Sequence, residues 1–227
     1  MSPKEIAGRR AAEWAEPGMK IGLGTGSTAY FAVEALGERV RQGLNIQAVP
    51  TSRATEALAR QWGIPLIPLS PGLTLDLTID GADEIDPLLN LIKGGGGALF
   101  REKLVASITQ ELVIIADAGK MVPVLGQFPL PVEIVPFGWE ITCARVEALG
   151  CRPVLRMGEG KPYLTDNQNY ILDCHCGEIR DPAALHDRLK QLLGVVETGL
   201  FVNMASRAVI GHPDGHIEIR NRSAWAT

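Results

Sequence analysis

Apolar and polar residues along this chain fall into short alternating blocks. Residues 19–24 form a compact apolar run with strand character. The apolar positions after it, Phe31, Val33, Leu36 and Val40, follow helical spacing. The alternation then repeats. Residues 46–49 read as a strand, and a helix capped by Thr51 or Ser52 runs to Trp62. Residues 66–69 are a strand candidate weakened by proline, and 75–79 a firmer one. After a long loop 98–108 is helical, and 112–116 is the continuous apolar run of a strand buried on both faces. At the front, Ser2 can cap a helix, Pro3 fits its first position and Glu5 completes a capping box. That helix is expected to end at Pro17-Gly18. Strands alternating with helices of about a dozen residues mean βαβ units and a parallel sheet covered on both faces. The expected fold class is α/β, with a Rossmann-like domain over residues 1–130.

Beyond residue 130 the order changes. Residues 132–135 read as a strand and 140–149 as a helix ending at Gly150. Residues 153–157 and 170–175 are strands, the first running toward the Gly158-Glu159-Gly160 turn. Asp181-Pro182 opens a helix to residue 193, and 195–197 is a strand. The order β-α-β-β-α-β is the ferredoxin-like α+β arrangement, expected as a second, smaller domain over 131–206. Two strand-like pieces, 208–210 and 216–219, flank Pro213-Asp214-Gly215. They are expected to return to the first sheet as a hairpin, so 207–227 goes with 1–130.

Composition narrows the function classes. The 227 residues carry 22 Lys and Arg against 26 Asp and Glu, a net charge of −4, which argues against nucleic-acid binding by bulk charge. The longest uncharged run, 61–75, holds three prolines and falls short of the roughly 18 apolar residues a membrane span needs. The first ten residues lack a signal-peptide core, and four cysteines make no disulfide framework, so the cytoplasm is expected. Cys174-His175-Cys176 looks like a metal motif, but no second ligand pair lies at zinc spacing. The 25 glycines are about 11% of the chain against a typical ~7%, and many sit in two clusters where the chemistry is expected.

The first cluster, Gly22-Leu23-Gly24-Thr25-Gly26-Ser27-Thr28, lies between a strand and a helix, where free backbone N–H groups and the helix dipole favour an anion. Ser27 stands where a dinucleotide fingerprint needs glycine, and the Walker Gly-Lys-Ser/Thr ending is absent. What remains is a cradle for a small phosphate monoester, or a tight turn whose glycines only permit close packing. The acidic loop Asp80-Gly81-Ala82-Asp83-Glu84-Ile85-Asp86 leaves the carboxyl end of a strand, where open α/β sheets bind ligands, and its glycine is misplaced for a calcium loop. Lys93-Gly94-Gly95-Gly96-Gly97 follows. Four successive glycines are entropically costly and fit a backbone that must pass close to a ligand. Spacing alone does not single out Glu102 from its neighbours Arg101 and Lys103.

Taken together, these segments resemble ribose-5-phosphate isomerase, type A. The likeness includes Pro50-Thr51-Ser52-Arg53, Ala116-Asp117-Ala118-Gly119-Lys120, the turn Asp166-Asn167-Gln168-Asn169 (with Gln168 where a glycine is usual) and Gly199-Leu200-Phe201. The resemblance implies interconversion of D-ribose 5-phosphate and D-ribulose 5-phosphate without metal or organic cofactor. It implies Glu102 as the base, and Lys93 with the N–H groups of Gly94, Gly95 and Gly96 as stabilisers of the enediolate. Asp80 and Asp83, with Gly81 and Ala82, would hold the sugar hydroxyls and help open the ring. Thr25, Gly26, Ser27, Thr28 and Lys120 would hold the phosphate, with Lys4 near it. A homo-oligomer, a dimer favoured, is also implied. The competing reading is a non-catalytic sugar-phosphate sensor; such proteins usually carry a DNA-binding segment in front, for which the stretch before residue 19 is too short.

Overall fold

A computed structural model describes residues 1–222, and their contacts divide the chain into two units. The first unit comprises Met1–Ala82, Arg101–Met121 and the segment from Asn203; the second comprises Asp83–Phe100 and Val122–Val202.

The first unit is built on a six-stranded sheet. From one edge its strands are Gln47–Pro50, Lys20–Leu23, Leu75–Gly81, Thr109–Asp117, Arg207–Gly211 and Ile217–Asn221. The first five are parallel and the last is antiparallel, closing the expected C-terminal hairpin onto the sheet. Helices Pro3–Ala12, Ser27–Arg41 and Arg53–Trp62 belong to this unit, and Leu99–Ser107 leads into strand Thr109–Asp117. Its largest core joins Ile21 and Leu23, Leu77 and Ile79, Val113 and Ile115, and Val209 to Ala7, Ala11 and Leu36 of the helices. Each fully buried aliphatic side chain of this kind contributes about 1.5–3 kcal/mol. Small residues on the first helix let it lie close: a Cβ on Gly8 would come within 2.9 Å of Ala32 N.

The first helix does have its capping box, with Ser2 Oγ accepting from Glu5 N, but it ends at Ala12 rather than near residue 16. Residues 13–15 close by tighter bonds to the carbonyls of Arg10, Ala11 and Ala12. Residues 66–69 form no strand; the chain makes one isolated bridge, Ala48 to Leu66, because Pro65 and Pro68 lack the N–H a ladder needs.

The second unit carries a four-stranded antiparallel sheet in the order Val195–Thr198, Leu130–Ile134, Tyr170–His175, Arg152–Leu155, with helices Trp139–Glu147 and Pro182–Lys190. This is the β-α-β-β-α-β arrangement. Met157–Gly158 and Lys161–Pro162 form a small hairpin. Three two-residue strands, Glu84–Ile85, Leu91–Ile92 and Leu200–Phe201, make a separate sheet. They explain why Asp83–Phe100 groups with this unit, whereas the division expected at 130 and 206 left that stretch in the first domain: its strands pair with Leu200–Phe201 and not with the parallel sheet. Ile92 accordingly packs with Leu130, Val132 and Leu172.

One pairing departs from expectation. Cys151 and Cys176 are disulfide-bonded, while Cys143 and Cys174 are free. The Cys174-His175-Cys176 run is therefore split between a buried thiol, an exposed histidine and a bridged cysteine. No helix among the described residues is long and apolar enough to cross a membrane.

Candidate active site

In the first unit, strand Lys20–Leu23 has Gln47–Pro50 on one side and Leu75–Gly81 on the other. The direction of winding reverses there, and such switch points open a crevice outside the carboxyl ends of the strands. The phosphate-loop candidate and the acidic segment both begin at this place. Register explains the glycines. Gly22 pairs with Thr78, and a Cβ on Gly22 would fall on the Thr78 side chain. One pleat further on, a Cβ on Gly24 would come within 2.5 Å of the Asp80 Cα. The glycines thus make room for a buried Asp80, only 1% exposed. Asp80 Oδ1 accepts from Thr25 N at 3.1 Å and Gly81 N at 2.7 Å, which fixes the rotation of the carboxylate.

Gly26 takes φ +107° and starts helix Ser27–Arg41 with no side-chain cap bond. Gly26 and Ser27 are exposed and Thr28 is half-buried. Lys4 Nζ donates to Ser27 Oγ at 3.0 Å, so the N-terminal helix brings a cation to this loop. The Thr25 hydroxyl is engaged elsewhere. It lies 2.7 Å from Thr51 Oγ1, 2.9 Å from Ser52 Oγ and 3.1 Å from Thr55 Oγ1, while Thr51 and Thr55 reach the carbonyls of Leu23 and Gly24. This hydroxyl cluster ties the loop to the start of helix Arg53–Trp62. By spacing alone Thr51 and Ser52 read as helix caps; the sign of this cluster in the sequence is three hydroxyl residues within five positions.

Glu102 is 4% exposed on helix Leu99–Ser107. That helix ends just before strand Thr109–Asp117 begins, so it runs antiparallel to the sheet. Val105 faces Gly22, whose added Cβ would meet Val105 Cγ1 at 2.7 Å. Three residues earlier on the same face, Glu102 is carried about 4.5 Å toward the carboxyl ends of the strands, the end where Asp80 stands. Lys120 closes the short turn Ala118–Lys120 after strand Thr109–Asp117, and so belongs to the same edge. Asp117 Oδ1 fixes that turn by accepting from Gly119 N at 3.1 Å.

The second unit carries the acidic residues after Asp80 and the glycine run. Glu84 accepts the N–H groups of Gly126 and Phe128, and Asp86 accepts from Leu88, Asn90 and the Asn90 amide. Those two acids hold backbone. Asp83 instead accepts from Gly95 N at 2.8 Å, and a Cβ on Gly95 would come 2.6 Å from Asp83 Oδ1, so the glycine run must pass bare against it. Gly94 and Gly97 take φ +100° and +80°, conformations that favour glycine. Gly96 is exposed. Lys93 is buried at 2% exposure, its Nζ 5.3 Å from the Phe201 ring centroid, with its backbone N–H on Gly199 O at 2.9 Å. Among the described residues no three His, Cys, Asp or Glu gather as a metal site.

Comparison with known proteins identifies the family. Residues 47–215 match the family model described as Ribose 5-phosphate isomerase A (phosphoriboisomerase A). A Ribose-5-phosphate isomerase A from Bacillus mycoides is 56% identical over 216 residues, covering 95% of this chain and 98% of that relative. A solved ribose 5-phosphate isomerase from Plasmodium falciparum superposes with TM-score 0.94 at 41% identity, covering 97% of this chain and 98% of that one. A second, a D-ribose-5-phosphate isomerase in complex with phospho-erythronic acid, gives TM-score 0.93 at 36% identity, covering 96% and 97%. With its sequence and its parallel-sheet fold matched over nearly their whole length, this chain belongs to the ribose 5-phosphate isomerase A family.

Proposed function

We propose that the chain interconverts D-ribose 5-phosphate and D-ribulose 5-phosphate through an enediolate, with Glu102 as the single base. The observation that carries the reading is the burial of three ionisable side chains from the glycine-rich and acidic segments: Asp80 at 1%, Lys93 at 2% and Glu102 at 4% exposure. Asp, Glu and Lys are almost never fully buried unless paired, so three of them buried in these segments point to a functional role rather than to a solvated surface.

In the forward direction the Glu102 carboxylate takes the proton from carbon-2 of the open aldose. The electron pair moves into a carbon–carbon double bond, and the carbon-1 carbonyl becomes an oxyanion. Lys93 and the N–H groups of the glycine run stabilise that charge. Glu102 returns its proton to carbon-1, the carbon-2 oxygen becomes the carbonyl, and the hydroxyl proton passes from oxygen-2 to oxygen-1. Asp80 and Asp83 hold the sugar hydroxyls and assist ring opening. Gly26, Ser27, Thr28, Lys4 and Lys120 hold the phosphate, with Thr25 contributing through the hydroxyl cluster that fixes the loop. All atoms balance without a redox partner.

The isomerase is proposed to work as a homo-oligomer, a dimer favoured, in the cytoplasm. Phe137 (94% exposed), Ile141 (62%) and Leu193 (81%) leave an apolar surface consistent with self-association. The sensor alternative draws no support from the relatives, which are named as isomerases. The deciding assay incubates purified protein with ribose 5-phosphate in deuterated water with EDTA. Ribulose 5-phosphate should form, carry deuterium at carbon-1 to the extent that the proton held by Glu102 exchanges with solvent before its return, and form more slowly when phospho-erythronic acid is added. Absence of turnover would overturn the reading.

A further inference from the structure

The glycine run has a support in the second unit that the reaction scheme does not use. Arg156 Nη1 donates to the carbonyls of Gly94 at 3.0 Å and Gly95 at 3.1 Å. The rest of the guanidinium is held in a fork by Asp173, Nε to Oδ2 at 2.9 Å and Nη2 to Oδ1 at 2.5 Å, with the side chain 14% exposed. Its Cζ lies 5.8 Å from the Tyr163 ring centroid, and the backbone is pinned by Arg156 N to Ile171 O and Tyr163 N to Arg156 O. Tyr163 in turn closes over Gly97, where an added Cβ would meet its ring at 2.7 Å. An arginine needed only to neutralise Asp173 would not require the two carbonyl bonds.

Those bonds act on the far side of each peptide. In a trans peptide the C=O and the following N–H point in opposite directions. Holding the Gly94 carbonyl therefore aims the Gly95 N–H away from Arg156, and it lands on Asp83 Oδ2 at 2.8 Å. Holding the Gly95 carbonyl aims the Gly96 N–H away from the guanidinium in the same manner. Without the clamp, four glycines have more backbone freedom than any other run of four residues.

We propose that Arg156, oriented by Asp173, is a positioning residue for the isomerisation: it sets two peptide planes of the glycine run, so that one N–H orients Asp83 and the next is presented to the developing oxyanion. The proposal rests on the assignment of Asp83 and the glycine run given above. Lysine cannot replace it, because an ammonium has no planar fork to serve a carboxylate and two carbonyls at once.

The test compares Arg156→Lys, Arg156→Ala and Asp83→Asn with wild type. Removing one donor to an oxyanion costs about 10²–10³-fold in kcat, and loosening its aim should cost somewhat less, about 10- to 100-fold in both Arg156 variants. The inhibition constant of inorganic phosphate should stay within about twofold, since the phosphate anchor is not touched. Low-millimolar guanidinium should restore part of the kcat of Arg156→Ala, an effect a merely structural loss would not give. If Arg156→Ala does not fold, Arg156→Lys carries the kcat comparison. A folded Arg156→Lys with wild-type kcat, while Asp83→Asn is impaired, would overturn this proposal alone. So would losses in kcat that simply follow lost folded protein and resist guanidinium. Full activity in Asp83→Asn would instead remove the site assignment beneath it.

Discussion

Replacing Glu102 by glutamine preserves shape and one acceptor oxygen at a side chain that is 4% exposed, and removes the ability to accept a carbon-bound proton. The Glu102→Gln protein should keep its fold and its affinity for phospho-erythronic acid while kcat falls about 10²–10⁴-fold. Retention of more than a tenth of the wild-type kcat, a barrier change under about 1.4 kcal/mol, would show that another group is the base. Lys120 is the residue proposed for the other end of the substrate. Losing one charge-assisted contact costs roughly 1.5–3 kcal/mol. Lys120→Ala should therefore raise KM about ten- to a hundredfold and largely spare kcat, because the phosphate is remote from the reacting carbons. A steady-state analysis in which kcat falls while KM holds would instead make Lys120 part of the chemical step. Neither residue was legible from periodicity. Glu102 sits among charged neighbours on its helix, and only the likeness to a family singles it out; its burial at 4% exposure is set by tertiary packing that no local pattern encodes.

Elements with a period were legible and those without one were not. The parallel strands announced themselves as apolar runs, and strand Tyr170–His175 lies at the expected residues. Glu84–Ile85, Leu91–Ile92 and Leu200–Phe201 were missed because two residues have no alternation to detect. The helix cap at Ser2 was readable because a capping box is local, whereas the end of that helix is decided by packing. Helix Pro3–Ala12 is also joined to Ser27–Arg41 by Arg9, which donates to Glu38 at 2.8 and 3.1 Å and reaches Glu34 at 3.5 Å. The Arg9 hydrogen bond holds the Glu38 carboxyl below its ordinary value, against a smaller opposing effect of burial. A carboxyl lowered in the folded state stabilises above its unfolded value, near 4.3, and that contribution disappears as pH falls through the lowered one. Urea unfolding should thus show Glu38→Gln less stable than wild type at pH 7, with the gap closing below about pH 4. The gap should be small, since Glu38 is 39% exposed and screened by solvent. A gap that widens on acidification would contradict the ion-pair account.

At the scale of the molecule, the largest core of the first unit shares no residue with that of the second, so each unit has its own sources of stability. The second has a covalent one, the Cys151–Cys176 bond, which closes a segment with sequence separation 25. Cysteine count and spacing could not reveal it, because pairing is a property of the folded chain. Disulfides typically contribute about 2–4 kcal/mol. Reduction, or Cys176→Ser, should lower the thermal midpoint and leave the reaction chemistry intact. Under non-reducing denaturation, mass spectrometry should find two alkylated cysteines, and four after reduction; four without reductant would refute the bond. Burial raises the Cys174 thiol well above its ordinary value, and burial with Glu147 and Glu140 raises Cys143. Both should label slowly in the native state. A reducing cytoplasm would disfavour the bond, so the stability of this unit would follow the redox state of its surroundings.

Helices Pro3–Ala12, Arg53–Trp62 and Pro182–Lys190 each begin with a side-chain acceptor, from Ser2, Ser52 and Asp181, but the helix behind the glycine loop begins with Gly26 and has none. A bound phosphate would supply the acceptor that the sequence leaves out, so the substrate would complete a piece of secondary structure. Anything that binds only the folded state stabilises it by an amount set by its concentration, about 2.7 kcal/mol at a hundred times its Kd. The protein should therefore be hardest to degrade when sugar phosphate is plentiful and most readily cleared when it is scarce. Limited proteolysis with and without ribose 5-phosphate checks this on Glu102→Gln, which should hold the ligand without converting it. Protection should saturate with the ligand, and cleavage at an unchanged rate would show that nothing at this helix responds to phosphate.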